Sequence, residues 1–207
     1  MKGAIFDLDG VIVDTAKYHF LAWRELAGEL GFVFTETDNE RLKGVSRMRS
    51  LEILLEVGDI TGLSDEEKQA LATRKNTRYV EMLDALCKGE LLPGAEEYLT
   101  KLRGEGVRIA LGSASKNAPL ILDKLGITHL FDAVVDGNSV EKAKPAPDVF
   151  LRGAEMLGLA PADCCVFVDA QAGIEAARAA GCAVIAIDKN GVLTGADRYV
   201  TCLADLL

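Results

Sequence analysis

The chain has 207 residues, 49% of them hydrophobic and 27% charged, with a formal net charge of −9 and a sequence pI near 4.8; that is enough apolar material for one large domain or two small ones. The acidic balance, with no basic cluster to override it, argues against nucleic acid or an anionic membrane surface as partner. With no basic-then-apolar leader and no apolar run of about 18 residues, a cytoplasmic location is expected.

The first strand is expected over residues 2–6, running directly into Asp7-Leu8-Asp9-Gly10-Val11. Side chains alternate along an extended chain, so Asp7 and Asp9 start on one side, and two like charges that close repel. Such a pair ends a buried strand when a cation such as Mg²⁺ sits between the carboxylates, or when one is protonated part of the time for acid/base work. The alternative is a polar loop capping a strand, since Asp and Gly are ordinary turn residues.

A periodic segment over 16–30, closed by Gly31, predicts a helix on which His19 and Trp23 share a face. Further helical pattern follows over 36–86, punctuated by Gly44, Gly58 and Gly62, with an N-cap at Ser64 that Glu67 completes as a capping box. No run between residues 15 and 86 reads as a buried strand, so residues 15–90 are expected to form an all-helical insertion. Residues 1–14 and 91–207 then make the other domain.

From Leu91-Leu92-Pro93-Gly94 onward the pattern becomes helix and apolar strand in alternation. Helices are expected over 96–105, 118–125, 148–157 and 172–180. Strands are expected over 107–111, 131–135, 164–168 and 183–187, with a last strand-like run over 198–200. This order predicts an α/β fold, a doubly wound and mainly parallel sheet with right-handed crossovers and its ligands at the carboxyl ends of the strands. Asp7, Asp9, Ser113, Lys144 and Asp169 all follow strand ends. The five cysteines are odd in number, and Cys164 and Cys165 are adjacent, unlike a metal-binding CxxC. All five are expected as reduced, mostly buried thiols.

Asp7-Leu8-Asp9-Gly10 after the first strand, Ser113 after a second, Lys144 before Pro145, and Asp169 after a further strand together resemble the four motifs of the haloacid dehalogenase superfamily of phosphotransferases. Lys43-Gly44-Val45-Ser46-Arg47 and Ser113-Ala114-Ser115-Lys116-Asn117 are similar to its sugar-phosphate mutase branch. The resemblance implies a Rossmann-like core with a helical cap. It implies phosphoryl transfer between glucose 1-phosphate and glucose 6-phosphate through an aspartyl phosphate and a bisphosphate. A sugar-phosphate phosphatase, or a non-catalytic sugar-phosphate binder, is the alternative.

On that resemblance Asp7 is the nucleophile and Asp9 the acid/base, while Ser113, the Ala114 N–H and Lys144 hold the transferring phosphoryl group. Mg²⁺ is held by Asp7, the Asp9 carbonyl oxygen and Asp169. Arg47 takes the distal phosphate, helped by Ser115, Lys116 and Asn117, with Lys43 and Gly44 also in the substrate-binding set. His19 and Lys75 couple cap closure to Asp9. The implied partners are small-molecule sugar phosphates, and the implied state is a monomer. The pattern departs at Val168 and Gly173, where relatives of this kind carry an acid at one place or the other. The metal site is expected to be one carboxylate short and to bind Mg²⁺ more weakly.

Overall fold

The computed structural model describes residues 1–42 and 45–207. The chain divides into two compact units, Thr15–Leu86 and Met1–Asp14 with Cys87–Leu207.

The first of these is helical throughout: α1 (Ala16–Glu29), α2 (Glu36–Glu40), α3 (Arg47–Val57) and α4 (Asp65–Met82), followed by a short 3₁₀ turn. The breaks in the 36–86 pattern fall where a hydroxyl can take over orphaned amides at a helix start. Thr35 and Ser64 each form a reciprocal capping box, with Asp38 and Glu67, and Ser46 Oγ accepts from the Arg49 N–H. Trp23, Leu26, Phe34, Leu51, Leu54 and Ala72 form the apolar core of the unit. Glu25 and Glu29 on α1 pair with Arg78 and Arg74 on α4 along the exposed side. Ser64 Oγ accepts from the Glu67 N–H at 3.2 Å and the Ser64 N–H donates to Glu67 Oε2 at 2.7 Å. Ser64→Ala is expected to lower stability by about 1 kcal/mol in a denaturant titration, and an unchanged midpoint would show that the cap carries nothing.

The second unit is a six-stranded sheet, β1 (Gly3–Phe6), β2 (Arg108–Gly112), β3 (Ala133–Val135), β4 (Cys164–Val168), β5 (Ala183–Ile187) and β6 (Arg198–Val200), in the order β3-β2-β1-β4-β5-β6. Every pairing is parallel. Helices α5 (Ala95–Gly104), α6 (Ala118–Leu125), α7 (Asp148–Met156) and α8 (Gln171–Ala180) alternate with the strands. Every residue of β1 and β4 is buried, which is why these strands read as continuous apolar runs rather than alternating ones. Phe6 stacks on Phe167 at 4.3 Å between ring centroids, with Tyr98 edge-on to both.

Several element ends shift by one residue, and two boundaries differ by more. The strand expected over 131–135 begins at Ala133, because the Phe131 N–H turns back to Thr128 O and the Asp132 carboxylate takes the Ile109 N–H at 2.7 Å. Residues 87–90, expected with the helical insertion, cluster with the sheet unit. There Leu91 bridges Val13 antiparallel and the Leu92 N–H donates to Ile12 O, so the chain re-enters the unit beside its point of exit.

Candidate active site

In the sheet unit the strand order reverses at β1, which lies between β2 and β4, and in an open parallel sheet such a reversal opens a crevice at the carboxyl ends. Phe6 is in register with Leu111 on one side and Phe167 on the other. Asp7 therefore emerges level with Gly112 and Val168, and Ser113 and Asp169 lie one residue further on.

The backbone of Asp7 still belongs to the sheet, its N–H donating to Phe167 O at 2.9 Å. Its carboxylate is held at both oxygens: Oδ1 accepts from the Leu8 N–H at 2.9 Å and Oδ2 from Lys144 Nζ at 2.5 Å. The Lys144 side chain is only 3% exposed, and its ammonium stands 4.9 Å from the centre of the Phe150 ring. With so little water near, the contact fixes the orientation of the carboxylate.

After Asp7 the chain folds into a tight turn in which the Gly10 N–H donates to Val13 O and the Ile12 N–H to Leu8 O. Gly10 has φ of +72°, and a Cβ there would overlap the Asp169 carboxyl group. Glycine is thus required twice over, by the backbone and by the close approach of Asp169. Asp169 is pushed up to about 7, first by burial, then by the negative charges of Asp7 and Asp9, with Lys144 pulling the other way.

Ser113 is buried, its N–H donating to Val135 O. Its Oγ accepts from the Ser115 N–H at 3.1 Å, and Ser115 Oγ in turn accepts from the Asn117 N–H at 3.2 Å. These two serine turns wind the chain into the start of α6. Ala114, Ser115 and Asn117 are half-buried along it and Lys116 is exposed. Asp7, Asp9, Asp169 and Lys144 thus lie within one another's fields, with Ser113 on the neighbouring strand end.

Three carboxylates set against one ammonium leave an excess of negative charge. Hard oxygens of this kind, two carboxylates and a backbone carbonyl with water completing the shell, suit Mg²⁺. Burial first, and then the charges of Asp7 and Asp9, raise Asp169, and a cation among these carboxylates would relieve the repulsive part of that rise. Among the described residues no three His, Cys, Asp or Glu side chains stand together as a ready-made ligand group.

Val168 is level with Asp7 on the neighbouring strand. It is fully buried in the apolar core with Ile5, Ala110 and Val135, and a Cβ on Gly173 would stand 2.8 Å from its side chain. The two positions at which an acid was missed are packed against each other. Val168→Glu is expected to lower stability by at least about 2 kcal/mol through burial of an unpartnered carboxyl group, with the same loss in the presence of Mg²⁺. Recovery of the melting temperature on adding Mg²⁺ would show instead that position 168 reaches the metal.

The helical unit carries a second cluster. Lys75, on α4 and buried, places Nζ 2.6 Å from His19 Nδ1, 4.5 Å from the centre of the Trp23 ring and 4.8 Å from that of Tyr79. His19 stacks on Tyr79 at 3.9 Å between centroids. The Tyr79 hydroxyl donates to Thr15 Oγ1 at 3.1 Å, which accounts for Thr15 making no side-chain cap to α1. Burial, then Lys75, then Arg47 hold His19 well below its ordinary range. It is therefore neutral at pH 7, and since the ammonium must donate to Nδ1, the ring proton resides on Nε2.

Arg47 opens α3 half-buried, and no carboxylate pairs with it among the described residues. Arg49 is tied to Glu52 at 2.9 Å and Glu56 at 3.2 Å. This is a physical reason for Arg47, rather than Arg49, to be the arginine open to a ligand. Lys43 and Gly44 lie outside the described residues. Tyr79 was missed in the sequence, although its spacing of four from Lys75 on one helix was the available signal.

A family model for haloacid dehalogenase-like hydrolases matches residues 1–181. The chain belongs to that family. This haloacid dehalogenase-like protein is 46% identical over 207 residues to a β-phosphoglucomutase of Bacillus subtilis, covering all of this chain and 92% of the relative. It is 38% identical over 179 residues to a fructose-1-phosphate phosphatase of Escherichia coli, covering 86% of this chain and 92% of the relative. A crystal structure of a β-phosphoglucomutase from Clostridium difficile superposes with a TM-score of 0.96 at 39% identity, covering 100% of this chain and 93% of that one. Among the described residues of this family member, all five cysteines are free thiols, with Cys87 exposed. No helix among them is long and apolar enough to cross a membrane.

Proposed function

We propose that this protein is a Mg²⁺-dependent β-phosphoglucomutase that interconverts β-glucose 1-phosphate and β-glucose 6-phosphate through an aspartyl phosphate on Asp7 and a β-glucose 1,6-bisphosphate. The observation that carries the reading is the Asp7 carboxylate itself, oriented at one oxygen by the Leu8 N–H and at the other by buried Lys144. The 46% identity to the Bacillus subtilis β-phosphoglucomutase over the whole chain supports the mutase over the phosphatase, being higher than the 38% to the fructose-1-phosphate phosphatase.

In the proposed mechanism an Asp7 carboxylate oxygen attacks phosphorus, the bond from phosphorus to the sugar oxygen breaks, and Asp9 gives its proton to that leaving oxygen. In the second half-reaction Asp9 takes the proton of the other sugar hydroxyl as that oxygen attacks the aspartyl phosphate. Lys144, Ser113 Oγ and the Ala114 N–H stabilise the phosphoryl oxygens, where charge is spread in the transition state. Asp7, the Asp9 carbonyl oxygen and Asp169 are the residues proposed to hold Mg²⁺, which when bound supplies charge neutralisation at the phosphoryl group.

Arg47 takes the phosphate that is not transferring, because a planar guanidinium without a carboxylate partner can bind two of its oxygens at once. Lys43, Gly44, Ser115, Lys116 and Asn117 complete the proposed substrate-binding set. His19 and Lys75 are proposed to couple closure of the helical unit to the acid/base Asp9. The proposed setting is cytoplasmic, with a monomer acting on small sugar phosphates. Phosphorus NMR of the protein with Mg²⁺ and β-glucose 1-phosphate tests the reading. Growth of the 6-phosphate signal is expected, whereas inorganic phosphate alone would make the protein a phosphatase and an unchanged spectrum would make it a binder.

A further inference from the structure

Glu56 lies in the last turn of α3, and its two carboxylate oxygens go to two different arginines. Oε2 meets Arg41, the residue that closes α2, at 2.7 Å, and Oε1 meets Arg49, in the first turn of α3, at 3.2 Å. Arg49 is also bound through its backbone, the N–H donating to the Ser46 cap at 3.3 Å, and its guanidinium meets Glu52 at 2.9 Å. The pairs Arg41–Glu56, Glu56–Arg49 and Arg49–Glu52 therefore run as one chain of charges from the end of α2 to the start of α3. Arg47 opens that same turn of α3 and remains outside the network.

We propose that Glu56 is a positioning residue for sugar-phosphate binding: by bridging Arg41 and Arg49 it anchors the end of α2 to the N-terminus of α3 and so holds in place the first turn from which Arg47 meets the ligand's phosphate. The inference rests on the role given to Arg47 in the proposed function. Arg41, Arg49 and Glu56 are each about half exposed, so each pair contributes little and salt screens it. The network acts through placement rather than stability.

The test compares the wild-type protein with Glu56→Gln and Glu52→Gln, using Mg²⁺ and β-glucose 1-phosphate, with acetyl phosphate hydrolysis as a control that needs no sugar phosphate. Glu56→Gln is expected to raise KM for β-glucose 1-phosphate by about threefold at low ionic strength while leaving kcat and acetyl phosphate hydrolysis unchanged. The ratio of the two KM values should fall to one near 1 M salt, where screening reaches about 3 Å. Glu52→Gln, which loses a contact internal to α3, should leave KM where it is. An unchanged KM in Glu56→Gln, an equal rise in Glu52→Gln, or a parallel loss of acetyl phosphate hydrolysis would each overturn the inference. Absence of turnover in the wild-type protein would overturn the proposed function instead, so the two failures are distinct.

Discussion

Asp7→Asn is expected to reduce turnover of β-glucose 1-phosphate by at least roughly four orders of magnitude, because a carboxamide cannot form the acyl phosphate on which both half-reactions depend. The substitution is nearly isosteric, and the surroundings of Asp7 keep the variant folded. The carboxamide oxygen can still accept from the Leu8 N–H or from Lys144. The ammonium of Lys144 also retains the negative charges of Asp9 and Asp169 nearby, which limits the penalty of losing its own partner. The loss of stability should be about 1–3 kcal/mol, the scale of one charge-assisted hydrogen bond. Removing the Asp7 charge removes one cause of the elevation of Asp169, whose pKa should drop from about 7. Activity near that of the wild type in a folded Asp7→Asn protein, read by steady-state kinetics alongside circular dichroism, would rule out the covalent route.

Arg47→Ala should separate the two reactions available to the scaffold. Truncating one member of a charged, bidentate pair costs about 2–4 kcal/mol, so kcat/KM for β-glucose 1-phosphate should fall by roughly two to three orders of magnitude. Hydrolysis of acetyl phosphate, which has no second phosphate to hold, should change by less than about threefold. A spectroscopic companion comes from the helical unit, where the Arg47 charge is one of the causes that depress His19. In Arg47→Ala the His19 titration should move upward, still below its ordinary value because burial and Lys75 remain. Equal losses in mutase and acetyl phosphate reactions would contradict a role confined to the distal phosphate.

The fold was legible because its strands are buried on both faces and its helices are not. Runs such as Cys164–Val168 are apolar without alternation, whereas the segments between them carry the helical period and close at glycines such as Gly126 and Gly181. The strand at Ala133–Val135 was overdrawn because Phe131 is apolar for a different reason, lying buried in a turn that the Thr128 carbonyl closes.

The chemistry was legible in part, since Asp7, Ser113 and Asp169 could be placed at strand ends from pattern alone. The partnership of Asp7 with Lys144 spans 137 residues of chain, and no local signal announces it. The choice of Arg47 over Arg49 depends on Glu52 and Glu56 both binding Arg49 and not Arg47. Val168, read as the place of a lost ligand, is fully buried and packed against Gly173.

The central claim, that a phosphoryl group resides on Asp7 between the two half-reactions, is tested most directly by trapping it. The protein is mixed with Mg²⁺ and acetyl phosphate, quenched, reduced with borohydride so that an acyl phosphate becomes the corresponding alcohol, and mapped by peptide mass spectrometry. The account predicts reduction at Asp7 in the wild-type protein and none in Asp7→Asn. Reduction mapped to Asp9 or Asp169, or an unmodified Asp7 in a sample that is turning over, would contradict it.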